Sequence, residues 1–293
     1  MSQIKGSVFP VAVRIGLLVA TFFVVTATHG EIVLAQEAPG QTEEQKQARA
    51  ALDKGVQDFK NGQYDEAIAE FERAKQLDPQ LMKARLYLAT AYASQYIPGA
   101  SSEENVRKGR RAVEEFNGVM ILDPQNISAI DGVGSILFQM AGQPYDPDKF
   151  AESKSQFMKH SELRSDDPEP YYWIGVIDWT LSFRANGELR ANYNKTVRGD
   201  ALLDTAPLPV EVREQYTREY GSIIDEGIDA LKNAIELRPD YDDAMAYLNL
   251  LYRRKADTVA DLSERDALTQ MADDLVDRIK EIKQRRAEAP NRP

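Results

Sequence analysis

Residues 55–79 read GVQDFKNGQYDEAIAEFERAKQLDP, and this stretch decides the fold that the sequence predicts. Two apolar patterns of helical period meet at Gly62, a residue suited to the left-handed backbone that ends a helix. Asp65 favours the start of the second helix because a carboxylate stabilises the N-terminal end of the helix dipole, and Pro79 stops that helix. One face of the second helix carries Ala67, Phe71 and Ala74, at spacings of four and three. The stretch therefore predicts two helices packed as a hairpin.

The same pattern recurs along the chain. An Asp-Pro or Arg-Pro pair ending at Pro79, Pro124 or Pro239 closes three of the units, and Ser165 replaces the proline in the third unit. The first-helix positions of the later units are Leu88, Ala89 and Tyr92, then Val133, Gly134 and Leu137, then Tyr171, Ile174 and Gly175, and finally Met245, Leu248 and Tyr252. Repetition at this spacing indicates an array of similar units rather than a single globular core.

The units resemble the tetratricopeptide repeat, a helical hairpin with a period of about 34 residues. In the first unit the resemblance rests on Gly55, Tyr64, Ala67, Phe71, Ala74 and Pro79. The unit departs from the pattern at Ala51 and Lys54, where a large aromatic residue and a Leu are usual. Residues 238–257, RPDYDDAMAYLNLLYRRKAD, are also similar to exported bacterial proteins of this family, a likeness that implies no activity.

The resemblance implies an all-α fold, a TPR-like α-solenoid forming a right-handed superhelix of about five helical hairpins. We assign residues 44–287 to this solenoid, with a long insertion at about 182–221. Residues 36–43 are predicted to be a linker, and the proline-rich residues 288–293 a disordered tail.

The N-terminal sequence indicates export. An apolar run at residues 15–27 follows Lys5 and Arg14, and it is shorter than the roughly 20 residues that a spanning helix needs. Small residues then lead up to Ala35, so we predict a signal peptide at 1–35, cleaved before Gln36. The mature protein would be periplasmic or extracellular, in an envelope of the Gram-negative type. Retention of the segment is the alternative, and it would make the protein a membrane-tethered assembly factor.

Composition excludes several classes of function. The chain has no cysteine, so it can form no disulfide, thiol nucleophile or zinc–thiolate site. Its 47 acidic residues outnumber 36 basic ones, and the sequence pI is about 4.9. Nucleic-acid backbones are bound by concentrated Lys and Arg, so nucleic acid is not an expected partner.

The family resemblance implies that the first helix of each hairpin lines a concave groove that binds a peptide or a partner protein. Carried over position by position, the groove residues are Lys83, Tyr87, Thr90 and Ser94 in the second unit, Asp131, Ser135 and Gln139 in the third, Tyr172, Val176 and Trp179 in the fourth, and Arg253 and Arg254 in the fifth. Tyr and Arg are frequent hot-spot residues in protein interfaces. The alternative is that Tyr171, Tyr172 and Trp173 pack in the core, and Trp179 fits either place.

The predicted insertion at 182–221 concentrates basic residues in an acidic chain. It contains Arg184, Arg190, Lys195 and Arg198. Long insertions in compact domains are usually functional or disordered. Our hypothesis is a flap over the groove with a basic face, and the alternative is a solvated loop. Pro207 and Pro209 are expected to start a helix that continues into the second helix of the fourth unit.

No catalytic, cofactor or metal site is predicted. His160 is the only histidine besides His29 of the signal region, and we expect it to be packed or half-exposed. The acidic clusters lack the spacing of a calcium-binding loop. An enzyme or small-ligand binder is the alternative function, with its pocket between the fourth hairpin and the insertion. Such a protein should have an enclosed pocket near Trp179.

Overall fold

The helical period in the sequence gives ten α-helices in the computed structural model, which describes residues 40–197, 201–203 and 206–288. The helices are α1 (Glu43–Lys60), α2 (Tyr64–Leu77), α3 (Met82–Gln95), α4 (Glu103–Leu122), α5 (Ile127–Gly142), α6 (Pro147–Leu163), α7 (Pro168–Thr196), α8 (Val210–Leu237), α9 (Asp242–Ala256) and α10 (Leu262–Glu288). No strand occurs within these residues. The predicted signal peptide, residues 36–39 of the predicted linker and residues 289–293 of the predicted tail lie outside them. None of the ten helices is long and apolar enough to cross a membrane.

Consecutive helices pair as hairpins, and the same turn joins each hairpin to the next. In each turn the first residue after the second helix donates its backbone N–H to the carbonyl four residues earlier, at 2.8–3.0 Å. The residue three positions further on donates back to the carbonyl of that first residue. These first residues are Asp78, Asp123, Arg164 and Arg238. The turn at Arg164 therefore keeps its geometry although Ser165 replaces the family's proline.

The two helices of a hairpin approach closely because a glycine on the first faces a bulky residue on the second. A Cβ atom added to Gly55 would lie 2.6 Å from the ring of Phe71, and one added to Gly175 would lie 2.3 Å from Cγ of Leu231. Phe71 and Leu231 are fully buried. In the first unit, Gly55 and Ala67 thus make room for the ring of Phe71.

First helices lie side by side, and this arrangement defines the inner face of the stack. α1 contacts α3, α3 contacts α5, and α7 contacts α9, whereas no two second helices within the described residues make a comparable contact. Elements that approach on one side and separate on the other produce a curved stack. We therefore call the side formed by α1, α3, α5, α7 and α9 the concave face.

The structure corrects our expectation for the insertion at 182–221. Over most of its length this segment is neither a flap nor a solvated loop. α7 continues to Thr196 and α8 begins at Val210, so the insertion lengthens both helices of the fourth hairpin to 29 and 28 residues. The predicted helix start after Pro209 is confirmed, since Pro209 is the residue that precedes α8. Only residues 197–209 connect the two helices.

The expected basic face is also wrong for Arg190, which points into the protein and is 3% exposed. Its Nε donates to Asn186 Oδ1 at 2.7 Å, and Nη1 donates to the carbonyls of Leu203 and Ala206 at 2.8 and 2.9 Å. Nη2 lies 3.3 Å from Oδ1 of the buried Asp257. Unpaired burial of a guanidinium would be costly, so these partners fix the connection against the end of α9.

The other basic residues of the segment have local roles. Arg184 is exposed and lies 3.9 Å from the ring centroid of Tyr145, and Lys195 is exposed beside Asn192. Arg198 is outside the described residues.

We predict that position 175 tolerates only glycine, because any Cβ atom there would clash with Leu231. Gly175→Ala should lower the free energy of unfolding by about 1–3 kcal/mol, because the new methyl group overpacks against Leu231. Gly187, on the same helix, has no atom within 4 Å of an added Cβ. Gly187→Ala should therefore be neutral or stabilise by up to about 1 kcal/mol through better helix propensity. Urea denaturation followed by circular dichroism measures both variants, and equal effects would contradict this explanation of the hairpin.

Candidate partner-binding groove

The predicted groove residues of α3 differ in exposure. Lys83 and Ser94 are exposed on the concave face, and Tyr87 is half-buried with its ring stacked on Phe71, 5.6 Å between centroids. The prediction that Thr90 lines the groove is wrong, because Thr90 is buried and its Oγ1 donates to the Leu86 carbonyl at 2.8 Å. Of the predicted residues, α3 therefore exposes one cation, Lys83, and one small hydroxyl group, Ser94, rather than a continuous recognition surface.

The three predicted groove residues of α5 are half-buried, and one of them, Asp131, is paired with a buried histidine. Oδ1 of Asp131 lies 2.8 Å from Nδ1 of His160, which is buried, and His160 Nε2 lies 3.5 Å from Oδ2 of Asp167. Burial lowers the pKa of His160, but its hydrogen bond to the Asp131 carboxylate and the charges of Asp131 and Asp167 outweigh that effect and raise the pKa overall. His160 thus supports a groove residue.

The other two α5 residues lie further along the same helix. Ser135 and Gln139 are half-buried, and Oε1 of Gln139 is a buried atom without a hydrogen-bond partner among the described residues.

Six aromatic side chains from α5, α7 and α9 form a continuous series of ring contacts that links these three first helices. Neighbouring centroids in the series lie 5.1–5.8 Å apart, within the range of favourable aromatic pairs. We call this series the aromatic ladder, and its members in order are Phe138, Trp173, Tyr172, Tyr247, Trp179 and Phe183. Phe138 joins α5 to α7 at one end of the ladder, and Tyr247 joins α9 to α7 in its middle.

Burial varies along the ladder and corrects two predicted groove residues. Val176 and Trp179 are 3% and 6% exposed, and Tyr247 of α9 packs edge-on against Trp179. Tyr172 is half-buried between Trp173 and Tyr247. Trp179 therefore packs in the core, as the alternative interpretation expected. Val176 is also buried, so a partner could not contact its side chain.

Phe183 is the open end of the ladder, and it is not among the predicted groove residues. Its side chain is 46% exposed, stacks on Trp179 at 5.1 Å and lies 5.9 Å from the Arg254 guanidinium. The available signal was its spacing of four from Trp179 and eleven from Tyr172, which continues one helical face. The predicted insertion from residue 182 obscured this signal, because it ended the expected helix one residue before Phe183.

Both predicted arginines of α9 have partners within the protein. Nη2 of Arg253 lies 2.6 Å from Asp273, and Nη1 of Arg254 lies 3.3 Å from Asp257. Their charges are therefore partly compensated before any ligand is considered.

Comparisons with known proteins agree with the geometry. Residues 55–95 match the family of the TPR repeat. A solved structure of MamA superimposes with a TM-score of 0.55 at 15% identity, covering 85% of this chain and 98% of MamA. The chain has the fold of tetratricopeptide repeat proteins, and residues 55–95 match the repeat itself. The predicted all-α, TPR-type solenoid is thus confirmed.

Further structures show the same TPR fold. MamA from Desulfovibrio magneticus RS-1, from residue 41 to its end, gives a TM-score of 0.53 at 15% identity, covering 83% of this chain and 97% of that one. YrrB, described as a TPR protein with an unusual peptide-binding site, gives 0.50 at 13% identity, covering 83% and 95%. At these identities the likeness concerns the fold alone. No curated protein matches the chain.

The alternative of an enclosed pocket near Trp179 receives no support from the geometry of the fourth hairpin. Trp179 lies between the rings of Phe183 and Tyr247. An open cleft of about 460 Å³ lies instead between α8 and the loop before α10, with Arg213 and Thr258 in its wall. Among the described residues, no three His, Asp or Glu side chains are placed to hold a metal ion.

A buried carboxylate lies on the side of α7 that faces α6 and α8. Oδ1 of Asp178 is 2.7 Å from Nζ of Lys154, which also contacts Glu226 at 2.8 Å, and Asp178 is fully buried. Burial raises the pKa of Asp178 to about 7, although Lys154 acts in the opposite direction. Oδ2 has no hydrogen-bond partner among the described residues, so the ionised form is poorly compensated.

We predict that Asp178 makes stability depend on pH. Its folded pKa of about 7 exceeds the ordinary value of 3.8, so the folded state binds the proton more tightly than the unfolded state. The resulting stabilisation is complete below pH of about 4 and is lost as the pH rises to about 7. Across that window the unfolding free energy of wild type minus that of Asp178→Asn should fall by up to about 1.4 kcal/mol per pH unit. Denaturant titrations between pH 4 and 8 measure this difference, and a constant difference would refute the assignment.

Proposed function

We propose that this TPR protein is a non-enzymatic scaffold or adaptor of the cell envelope that binds a peptide or partner protein on its concave face. The observation that carries the proposal is the aromatic ladder with Phe183 at its open end, 46% exposed. Half-exposed aromatic rings backed by a rigid core are characteristic of interface hot spots.

The ladder is ordered before a partner arrives. Trp179 and Phe183 are stacked with an interplanar angle of 22°, and Tyr247 meets Trp179 edge-on. A preordered surface loses little side-chain entropy on binding. YrrB, which has the same fold, is described as having a peptide-binding site, and this supports peptide recognition as a use of the fold.

The envelope location rests on the N-terminal sequence. The apolar run at 15–27 and the small residues before Gln36 support export through a cleaved signal peptide. Neither segment lies within the described residues, so location and cleavage are part of the proposal.

Site-specific photo-crosslinking in living cells tests the proposal. Benzoylphenylalanine in place of Phe183 should give discrete adducts with a partner, recovered from the envelope fraction, because this side chain would contact the partner directly. Phe183→Ala should lower partner recovery by about tenfold, the effect of a typical hot-spot residue. Mass spectrometry of the recovered protein should give an N-terminus at Gln36.

Ile121 supplies the matched control. It is a large apolar residue, 82% exposed, on the second helix α4 and therefore away from the concave face. Benzoylphenylalanine at Ile121 should give no such adducts. The same adducts at both positions would contradict concave-face binding, and adducts confined to the cytoplasm would contradict the proposed location.

A further inference from the structure

A carboxylate without an ion-pair partner among the described residues lies beside the middle of the aromatic ladder. Asp243 lies in the first turn of α9, and its side chain is exposed. Burial and then the charge of Asp243 raise the pKa of Tyr247. The pKa of Tyr172 is raised by burial, by Tyr247 and then by Asp243. Asp243 precedes Tyr247 by four residues on α9, so the two side chains lie on the same face of the helix. The ring of Tyr247 is in edge-on contact with that of Tyr172, at 5.8 Å between centroids.

The neighbouring acids differ from Asp243 because each has a cation. Glu169 pairs with Arg238 at 2.8 Å, and Asp242 pairs with Arg286 at 2.8 Å and with Lys283 at 3.9 Å. Among the described residues, the Asp243 carboxylate has neither an ion pair nor a hydrogen bond.

The surroundings of Asp243 disfavour its charge. Burial and the charge of Asp242 raise its pKa, against the weaker effect of Lys283 and Arg286. The negative charge of Asp243 is thus partly removed from water and only partly compensated by Lys283 and Arg286. These conditions favour binding of a cation from another molecule.

The open end of the ladder, at Phe183, is apolar and electrically balanced. Phe183 is exposed there, and the nearby Arg254 is already paired with Asp257. Phe183 follows Tyr172 by eleven residues on α7, which corresponds to about 16 Å at 1.5 Å per residue. An extended peptide covers that distance with about five residues.

We propose that the partner is an extended peptide segment with a Lys or Arg side chain beside Asp243 and aliphatic or aromatic side chains along the ladder towards Phe183. The inference rests on the proposed function and adds the chemistry of the partner. The cation would lie against the rings of Tyr172 and Tyr247, where the ring quadrupole also favours positive charge. The net charge of the chain, −11, steers a basic segment towards the protein.

Peptide selection tests the proposal even while the partner protein is unidentified. A random dodecapeptide phage library is selected on the purified protein, and the Kd of a synthetic consensus peptide is measured by calorimetry. Selected sequences should contain Lys or Arg within about five residues of an aromatic or large aliphatic residue. Replacing the basic residue of the consensus by Glu should raise Kd by about tenfold, since attraction becomes repulsion.

Variants of the protein test whether the preference for a basic peptide depends on Asp243. Asp243→Asn should raise the Kd of the consensus peptide by about fivefold and remove its preference over the Glu peptide. Asp243→Glu should retain the preference. Glu66→Gln is the matched control, because Glu66 is an exposed acid in the first turn of α2, on the outer side of the stack. It removes the same charge and should leave Kd unchanged.

The outcomes separate this inference from the proposed function. If the selected peptides lack a basic preference, or Asp243→Asn leaves Kd unchanged while Phe183→Ala raises it, the cation site is wrong and ladder binding stands. If neither variant changes Kd, the peptide binds elsewhere and both proposals are wrong. Failure to select any binding peptide would also overturn both.

Discussion

The close contact between a glycine on the first helix and a bulky residue on the second is the constraint on which the rest of the structure depends. Gly55 against Phe71 and Gly175 against Leu231 set the distance between helices, and the buried side chains leave no room for a Cβ atom. Because the turns between hairpins repeat the same hydrogen bonds, each hairpin presents its first helix in the same direction. The ladder on α5, α7 and α9 follows from that alignment.

The fourth hairpin combines the regular repeat with a local departure from it. Its first helix supplies four of the six ladder residues, and its extension beyond the usual length carries Phe183 to the open end. That extension is stabilised by a buried network around Arg190 and Asp257, which joins α7 to the end of α9. Additional helix length, rather than a mobile loop, is thus the feature that distinguishes this hairpin.

Local patterns were sufficient to predict the fold, whereas the site depended on long-range contacts. Spacing of apolar residues identified the hairpins, since that information lies within about 34 residues of sequence. The burial of Trp179 depends on Tyr247 of α9, and that of Arg190 on Asp257, which is 67 positions away. Thr90 occupies a groove position of the repeat and is nevertheless buried, because position in a repeat does not specify the packing of neighbouring helices.

The central claim is that a partner binds on the aromatic ladder, and the tryptophan signals test it most directly. The sequence contains two tryptophans, Trp173 and Trp179, and both belong to the ladder. A nitrogen–proton NMR spectrum therefore has two indole signals, both of which report on this surface. We expect both signals to shift during titration with a bound peptide or partner and to saturate with the Kd found by calorimetry. Binding detected by calorimetry with both indole signals unchanged would contradict the claim.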